Sequence, residues 1–286
     1  MSDHRRVTLA IPCFNAAPTL GRVLRGVDRL RVPPDELLVV DDGSTDACGE
    51  TARRFGARVV THTDNRGLAA ARNTALQEAQ GEIVVFLDAD AVPDPGLLQA
   101  LTAGRYADPN LAGVGGQLLE RSDGALADRW RSLFWRQTQG ETPLDHAPFL
   151  VGACCSLRRR VALELGGFSA RFRTNGEDVE LSARLRDRGY RLAYEPRARA
   201  CHLRHDGLHS LLSMVFRHSR DQVLALRAGR HSPARVVANA VRWGPVTLYS
   251  SLLRHRSLGL AALSPACHAA SLAGCAAGLL APGAAR

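Results

Sequence analysis

Length, composition and charge favour a folded protein and argue against a nucleic-acid partner. The chain has 286 residues, of which 45% are hydrophobic and 23% charged, enough for one large or two small domains and unlike a disordered chain. The net charge is +9, but all 37 basic residues are arginine, and alanine and glycine abound. Because this pattern is typical of GC-rich coding, no nucleic acid partner is expected.

The excess positive charge lies at the C-terminal end. Residues 1–200 contain 27 arginines and 26 acidic residues, whereas residues 201–286 contain 10 arginines and 2 acidic residues. This asymmetry predicts a basic tail that meets an anionic surface. The seven cysteines form no C-x-x-C pair, which indicates reduced thiols in the cytoplasm, and Pro12 interrupts the N-terminal apolar run too early for a signal peptide.

The first hundred residues alternate between predicted strands and helices. Four strands are expected at 7–11, 37–40, 58–61 and 83–87, with helices at 20–27, 48–55 and 68–80. Pro12 is expected to close the first strand. Short connections between alternating elements predict an α/β fold with parallel strands joined by right-handed crossovers.

Two carboxylates follow the most apolar of these strands. Ile83 to Leu87 include no polar side chain, which is typical of a strand buried on both faces, and Asp88 and Asp90 come directly afterwards, before Pro93. In open α/β sheets, ligands bind at the carboxyl edge of the strands. Two acids there favour Mg²⁺ or Mn²⁺ held together with phosphate oxygens, and a solvated helix-capping turn is the alternative.

The glycine motifs that commonly bind phosphate are absent from the sequence. No G-x-G-x-x-G opens the first helix, there is no P-loop, and the glycine cluster at 113–116 is predicted to be a turn. Trp130, Phe134 and Trp135 lie at helical spacing. They predict a helix that packs its aromatic edge onto the core or, alternatively, an aromatic platform for an acceptor sugar or lipid.

The alternation resumes after residue 149. A strand is expected at 152–157, followed by a helix at 158–165. Glu177 and Asp178 precede apolar residues at helical spacing, which predicts that they occupy the first turn of a helix, where the macrodipole favours acids. A further strand is expected between Tyr190 and the region of His202.

Three acid pairs therefore lie at loops or helix starts: Asp41-Asp42, Asp88/Asp90 and Glu177-Asp178. They occur in the segments VVDDGSTD, NRGLAAARNTAL, VVFLDADAVPDPGLL, FLVGACCSLRRRVALELGGF and NGEDVELSARLRDRGYRLAYEP. In this combination the chain closely resembles the family 2 glycosyltransferases of the GT-A fold. The resemblance implies a Rossmann-like, mostly parallel sheet flanked by helices, with a helical C-terminal tail added.

The resemblance also implies an organisation and an activity. Residues 1–115 would form the nucleotide-sugar-binding half, residues 116–205 the acceptor-binding and catalytic half, and residues 206–286 the tail. The implied reaction is inverting transfer from a nucleoside-diphosphate sugar to a hydroxyl acceptor, which would be a cell-surface glycan, a lipid or a secondary-metabolite precursor. The resemblance thus implies a hexosyl- or related transferase of the EC 2.4 class.

Site residues follow from the same resemblance. Asp178 would be the catalytic base and Glu177 would position the acceptor, while Gly152 and Ala153 would lie beside the donor sugar. The implied nucleotide-binding residues are Pro12, Asn15, Asp41, Asp42, Asn65, Gly67, Arg72 and Asp88. For Arg72 the alternative is an ordinary helix-surface arginine.

A divalent metal, Mg²⁺ or Mn²⁺, is also implied by the resemblance. Asp90 would be its direct ligand, with Asp88 assisting through ribose or water. His202 would complete the metal shell, with His205 as the fallback. A merely structural histidine is the alternative for either position.

The tail carries two features that bear on membranes. Apolar residues at helical spacing over 208–226, with arginines beside them, predict a basic amphipathic helix that lies at an interface or covers the catalytic core. Residues 257–285 have no charged side chain, but Pro265 lies within them and makes a membrane span unconvincing. Arg254 and Arg256 suit an anionic leaflet, so peripheral or re-entrant attachment to the inner face of the cell membrane is expected.

Other classes fit the sequence less well. A haloacid dehalogenase-type phosphatase would need an aspartate on the first strand and a threonine where Val92 stands. A sugar-phosphate nucleotidyltransferase would open with a glycine-rich loop, which residues 12–18 do not form. A non-catalytic basic module for membrane or nucleic acid would tolerate the loss of Asp88, Asp90 and Asp178.

Overall fold

The computed structural model describes residues 5–120, 124–172, 175–228 and 231–281. The chain divides into two compact units. The first contains the residues up to Leu119 together with Gln137–Leu203, and the second contains Glu120–Arg136 and the residues from Arg204 onward.

An eight-stranded sheet forms the first unit, in the order β3-β2-β1-β4-β7-β6-β8-β5. The strands are β1 (Val7–Cys13), β2 (Glu36–Asp41), β3 (Arg58–Thr61), β4 (Ile83–Leu87), β5 (Ala91–Pro93), β6 (Leu111–Glu120), β7 (Cys154–Arg158) and β8 (Arg191–His202). The pairs β1–β2, β2–β3 and β1–β4 are parallel, as the sequence predicts. The strand β7 runs antiparallel to both β4 and β6.

Helices connect these strands and also build the second unit. In chain order they are α1 (Ala17–Val27), α2 (Cys48–Arg54), α3 (Leu68–Glu78), α4 (Leu97–Thr102), α5 (Leu126–Phe134), α6 (Arg159–Glu164), α7 (Glu177–Asp187), α8 (Leu208–Ala228), α9 (Ala234–Tyr249) and α10 (Leu258–Leu280). A short 3-10 turn covers Arg105–Ala107, and a π-helical turn covers Ser250–Arg254.

The strand β4 is the centre of the first unit because both of its faces are buried. Its five side chains are fully inaccessible to solvent. Ile83, Val85 and Leu87 join one hydrophobic cluster, whereas Val84 and Phe86 join a second. Since alternate side chains of a strand point to opposite faces, these two clusters cover the two faces of the sheet.

Two details of the predicted elements are wrong. The glycine cluster at 113–116 lies within β6 rather than in a turn. A Cβ at Gly113 would lie 2.7 Å from the Ser156 carbonyl oxygen, and one at Gly116 would lie 2.5 Å from that of Ala198, so close backbone packing requires these glycines. The first strand also runs through Pro12 to Cys13 instead of closing at the proline.

The second unit is a helical bundle with its own core. In this core α8 packs closely on α10, where a Cβ at Gly278 would lie 2.7 Å from the Arg220 carbonyl oxygen. The indole of Trp130 is fully buried there and donates to Ser264 Oγ at 3.1 Å. Of the two interpretations of the aromatic residues in α5, packing therefore holds for Trp130.

The helix α10 is long and apolar enough to cross a membrane by length and composition alone. Under half of its most apolar window is buried within the chain. Core helices of soluble proteins meet the same criteria of length and composition.

Candidate active site

The D-x-D carboxylates lie at the carboxyl edge of the central strand. Asp88 follows β4 directly, and Asp90 comes just before β5. The Asp88 backbone N–H donates to the Ala153 carbonyl at 3.1 Å, which fixes the loop to the segment entering β7. Both aspartate side chains keep part of their surface exposed, so their oxygens can be reached by a ligand.

A buried arginine joins this loop to α7. Arg72 lies in α3 and is almost fully buried, so it is not a helix-surface arginine. Its Nη2 donates to Asp88 Oδ1 at 2.9 Å, and its Nη1 donates to Glu177 Oε1. The guanidinium carbon lies 5.6 Å from the centroid of the Phe168 ring. One side chain therefore links the D-x-D motif to the second acidic motif.

Glu177 and Asp178 occupy the first turn of α7, as the sequence predicts. The preceding Gly176 adopts a left-handed conformation with φ of 90°, which turns the chain into the helix. Asp178 Oδ2 accepts the Gly152 backbone N–H at 2.8 Å, and its Oδ1 accepts the Val179 N–H at 2.8 Å. Glu177 is buried, whereas Asp178 remains partly exposed.

The two small residues before β7 make this arrangement possible. A Cβ on Gly152 would lie 2.5 Å from Arg72 Nη1 and 2.8 Å from its Cζ. Gly152 also supplies the N–H to Asp178, while the carbonyl of Ala153 accepts the N–H of Asp88. The resemblance implies that these two residues lie beside the donor sugar, which stays a prediction; in the structure the closeness of Arg72 requires Gly152 to be small.

Burial and charge act in opposite directions on these groups. Burial raises the pKa of Glu177 to about 7, with the Arg72 guanidinium opposing the shift. Burial likewise raises the pKa of Asp88 above its ordinary value, again against Arg72. Burial by itself lowers the pKa of Arg72, but Asp88, Glu177 and Asp178 raise it beyond its usual value, so the guanidinium keeps its charge.

Asp90 has its own partner on the last strand. In the antiparallel β5–β8 pair, Ala91 lies opposite His202. His202 Nε2 is 3.3 Å from Asp90 Oδ2, and the Leu203 N–H donates to the Asp90 carbonyl at 2.7 Å. The imidazole is buried, so it is held in place by the surrounding chain. The fallback His205 instead lies 3.3 Å from Asp128 within the second unit.

The side chains available for a cation are few. Among residues 5–120, 124–172, 175–228 and 231–281, no three His, Cys, Asp or Glu side chains form a ready metal cluster. The donor types nevertheless fit Mg²⁺ or Mn²⁺, because carboxylate and imidazole are suitable ligands and such ions usually share a few protein ligands with phosphate oxygens.

The predicted nucleotide-binding carboxylates lie at the same sheet edge, where Asp41 is the last residue of β2 and Asp42 follows it. Asp42 is buried, and its oxygens accept the Arg66 and Gly67 backbone N–H groups at 3.0 and 2.8 Å. His62 Nδ1 is also 2.6 Å from Asp42 Oδ1. Asp42 thus holds the loop that leads into α3 at Gly67, whose φ is 93°. Its contact with a nucleotide stays a prediction.

The loop after β1 is tied to the loop after β2. Asn15, with φ of 48°, accepts the Thr45 backbone N–H on Oδ1 at 2.9 Å, and its own N–H donates to Ser44 Oγ at 3.0 Å. Asp41 Oδ1 in turn accepts the Ser44 N–H at 3.0 Å. Pro12 lies opposite Val40 in the parallel register. The remaining predicted residue, half-buried Asn65, lies in the loop that Asp42 holds.

Two residues that organise the site carry no local sequence signal. His62 spans Asp42 and Thr74, whose Oγ1 is 2.9 Å from its Nε2, although it follows an unremarkable strand. Ser182 accepts the Leu150 N–H at 3.0 Å and so fixes the segment before Gly152 to α7. Both pairings join residues far apart in the chain, which periodicity does not report.

The sequence profile of "Glycosyl transferase family 2" matches residues 8–166, more than half of the chain. The chain belongs to this family. The match begins within β1 and includes the D-x-D loop, Arg72 and Gly152, and the eight-stranded sheet is the GT-A fold expected from the resemblance.

Two named glycosyltransferases are among the relatives that are similar in sequence to this family 2 chain. A pre-mycofactocin glycosyltransferase of Mycobacterium tuberculosis is 35% identical over 211 residues, covering 70% of this chain and 43% of the relative. The glycosyltransferase AglE of Haloferax volcanii is 29% identical over 246 residues, covering 82% of this chain and 79% of AglE. The chain therefore spans less than half the length of the mycobacterial relative.

Among solved structures, a mannosyltransferase of Pyrobaculum calidifontis aligns with a TM-score of 0.62 and 25% sequence identity. The alignment covers 98% of this chain and 77% of that protein, which was solved with GDP-Man and Mn²⁺. This family 2 chain thus shares its fold with an enzyme that binds a nucleotide sugar and a divalent cation.

Proposed function

We propose that the chain is an inverting glycosyltransferase that moves a sugar from a nucleoside-diphosphate sugar to a hydroxyl acceptor. The observation that carries this proposal is the Arg72 guanidinium, which bonds to both Asp88 and Glu177. This one side chain bridges the D-x-D motif and the acid pair at the start of α7, and so holds the two motifs close together. A single displacement needs this closeness, because leaving group and incoming hydroxyl must meet at one carbon.

For the donor, the proposal uses the edge formed by the loops after β1, β2 and β4. Asp41 would accept a hydrogen bond from the base or ribose, and Asp42 would keep the 62–67 loop in the conformation that receives the nucleotide. The archaeal mannosyltransferase binds GDP-Man, which supports a nucleoside-diphosphate sugar. Gly152 and Ala153 would border the sugar.

Asp90 and His202, together with Asp88, are the residues that would hold Mg²⁺ or Mn²⁺. When bound, the cation would neutralise charge on the diphosphate of the leaving group. His202 is fixed by β8 and by its contact with Asp90, which presents its ring to that carboxylate. The mannosyltransferase with Mn²⁺ supports a divalent cation without deciding between the two metals.

Asp178 would act as the base. The acceptor oxygen attacks the anomeric carbon while the bond from that carbon to the diphosphate oxygen breaks, and the electron pair leaves with the nucleoside diphosphate. The acceptor's proton passes to an Asp178 carboxylate oxygen. The Gly152 N–H holds Oδ2 in a fixed direction during this step. Glu177, turned towards Arg72, would position the acceptor side of the site.

The acceptor class remains broad in this proposal. A cell-surface glycan, a lipid or a secondary-metabolite precursor would each offer a hydroxyl, and the name of the mycobacterial relative, a pre-mycofactocin glycosyltransferase, supports the precursor among them. The acid-poor, arginine-containing C-terminal segment supports a cytoplasmic location at the inner face of the cell membrane.

The experiment uses the purified full chain with a panel of nucleotide sugars. Slow hydrolysis of the donor should appear as release of nucleoside diphosphate that requires Mn²⁺ or Mg²⁺ and stops with EDTA. Asp178→Asn should keep donor binding, measured by calorimetry, and lose transfer to acceptors by about a hundredfold or more. Asp187→Asn, on the exposed end of the same helix, is the matched control and should behave as the unmodified chain.

Two results would contradict the proposal. Full transfer by Asp178→Asn would remove the base from the mechanism. Release of pyrophosphate from a nucleoside triphosphate and a sugar phosphate, without any transfer, would instead identify a nucleotidyltransferase.

A further inference from the structure

The apolar stripe that the sequence offers for a membrane is already buried. In α8, the side chains of Leu211, Val215 and Val223 are fully buried, and the helix packs closely on α10. Burial within the second unit therefore accounts for the amphipathic pattern of α8. This face of α8 is therefore not available to an external partner.

The helix α9 exposes an unusual amount of apolar surface for a helix of a soluble protein. Its buried positions are small or polar: Ala240, Gly244 and Thr247. A Cβ at Gly244 would collide with the His268 ring, so this side of α9 packs tightly. Trp243, Val236 and Val237 also pack against the core of the unit, but the other large apolar side chains of α9 are exposed to solvent.

The exposed apolar side chains between Val241 and Leu258 are here called the apolar arc. Val246, Tyr249, Leu253 and Leu258 are exposed by 62%, 67%, 61% and 81%, respectively. The further exposed members are Val241, Leu248 and Leu252. Spacings of three and four residues put Val246, Tyr249 and Leu253 on one side of α9 and its π-helical extension, opposite the buried Gly244. Grouped exposure of this kind marks an interaction site.

The charges beside the apolar arc indicate what covers it. Arg242, Arg254 and Arg256 are exposed within or next to it. From residue 207 to the end of the sequence there is a single acidic residue, Asp221, which is buried and bonded to Arg220. Pairing with a second copy of the same face would bring arginines against arginines, which is unfavourable. An anionic lipid surface offers both hydrocarbon and negative charge.

We propose that the apolar arc and its flanking arginines dock the chain on an anionic phospholipid bilayer. Val246, Leu253 and Leu258 enter the boundary between headgroups and acyl chains, and Tyr249 lies at the headgroup level with its hydroxyl towards water. Arg242, Arg254 and Arg256 contact lipid phosphates. This proposal rests on the membrane location proposed above and adds the surface of the chain that contacts the membrane. It does not depend on transfer activity.

The test measures binding of the full chain to sedimented vesicles of phosphatidylcholine, alone or mixed equally with phosphatidylglycerol. Binding should require phosphatidylglycerol and weaken as salt is raised. Val246→Glu combined with Leu253→Glu should reduce binding by at least about tenfold, since charge replaces apolar side chains that enter the bilayer. Arg254→Gln and Arg256→Gln should each reduce it by about fivefold. Val32→Glu, an exposed valine of the first unit, is the matched control.

Several outcomes would overturn the proposal. Equal binding to both vesicle types, or undiminished binding of the glutamate variant, would exclude the apolar arc as the docking surface. A dimer in light scattering that Leu253→Glu dissociates would assign the arc to a second copy. Release of nucleoside diphosphate, measured in the same samples without vesicles, should stay unchanged in all variants, so failure of docking is distinguished from failure of the proposed transferase.

Discussion

Replacing Gly152 by alanine tests whether Arg72 is fixed between the two acidic motifs. The added Cβ would lie 2.5 Å from Arg72 Nη1 and 3.0 Å from its Nη2, too close for either atom to stay in place. A guanidinium at a protein surface would simply move aside. Arg72 is buried, lies over Phe168 and donates to both Asp88 and Glu177, so any movement breaks one of these bonds.

The magnitude follows from which bond is lost. Overpacking a filled site costs about 1–3 kcal/mol, whereas a buried carboxylate left charged and unpaired costs about 3–5 kcal/mol. Because the pKa of Glu177 is already raised to about 7 by burial, Glu177 can take up a proton when Arg72 moves away. The lower range therefore applies, and Gly152→Ala should lose about 1–3 kcal/mol of unfolding free energy. Transfer should fall by about a hundredfold, since the acids shift apart.

The measurement has to report on the first unit. All three tryptophans lie in the second unit, so their fluorescence is unsuitable. Hydrogen exchange of peptides covering β4 and α7 follows the right region. Gly21→Ala is the matched control, because its Cβ would lie 3.7 Å from Thr51 Cγ2 in an ordinary contact. Unchanged exchange and activity in Gly152→Ala would refute the idea of a fixed arginine.

Three further outcomes are expected. Between pH 4.5 and 7, Glu177 binds more protons in the folded state than in the unfolded state, so its contribution lowers the unfolding free energy by up to about 3 kcal/mol as the pH rises. Glu177→Gln should therefore flatten the measured pH dependence of the unfolding free energy. An unchanged slope would contradict the raised pKa. His202→Ala should raise the Mn²⁺ concentration needed for half-maximal activity by about 10–100-fold, whereas no change in a metal titration would exclude His202 from the metal shell. Gly274→Ala, whose Cβ would meet the Phe216 carbonyl oxygen and lie 3.0 Å from Ser219 Cβ, should destabilise the second unit by about 1–3 kcal/mol in tryptophan-detected urea unfolding; a wild-type midpoint would show that α8 and α10 can separate.

The parts of the fold that the sequence predicts are those with a local cause. The apolar run at 83–87 has to be buried on both faces, so β4 and the position of Asp88 follow directly from it. The first turn of α7 follows in the same way from two acids before an apolar repeat. Parallel pairing of the first four strands follows from their short helical connections.

What the sequence fails to predict depends on distant partners. The glycines at 113–116 predict a turn when only the local sequence is considered. They are in fact required by the close approach of Ser156 and Ala198, which belong to strands far along the chain. Arg72 and Glu177 are 105 residues apart, and no periodicity relates them. The tail shows the same limit, since an amphipathic pattern predicts that α8 buries a face but does not say against what.

The balance of charge around Arg72 affects how the proposed site would bind its donor. Asp88, Asp90, Glu177 and Asp178 offer four carboxylates to this edge, and Arg72 contributes one fixed positive charge to Asp88 and Glu177. A diphosphate would add further negative charge, so donor binding needs compensation that Arg72 alone does not supply. A divalent cation at Asp90 would act on the donor side. On the opposite side the adjustable group is Glu177, because a carboxyl with a pKa of about 7 can gain a proton whereas a guanidinium does not lose one. Donor affinity at a fixed metal concentration should therefore weaken as the pH rises through 7, and this dependence should disappear in Glu177→Gln.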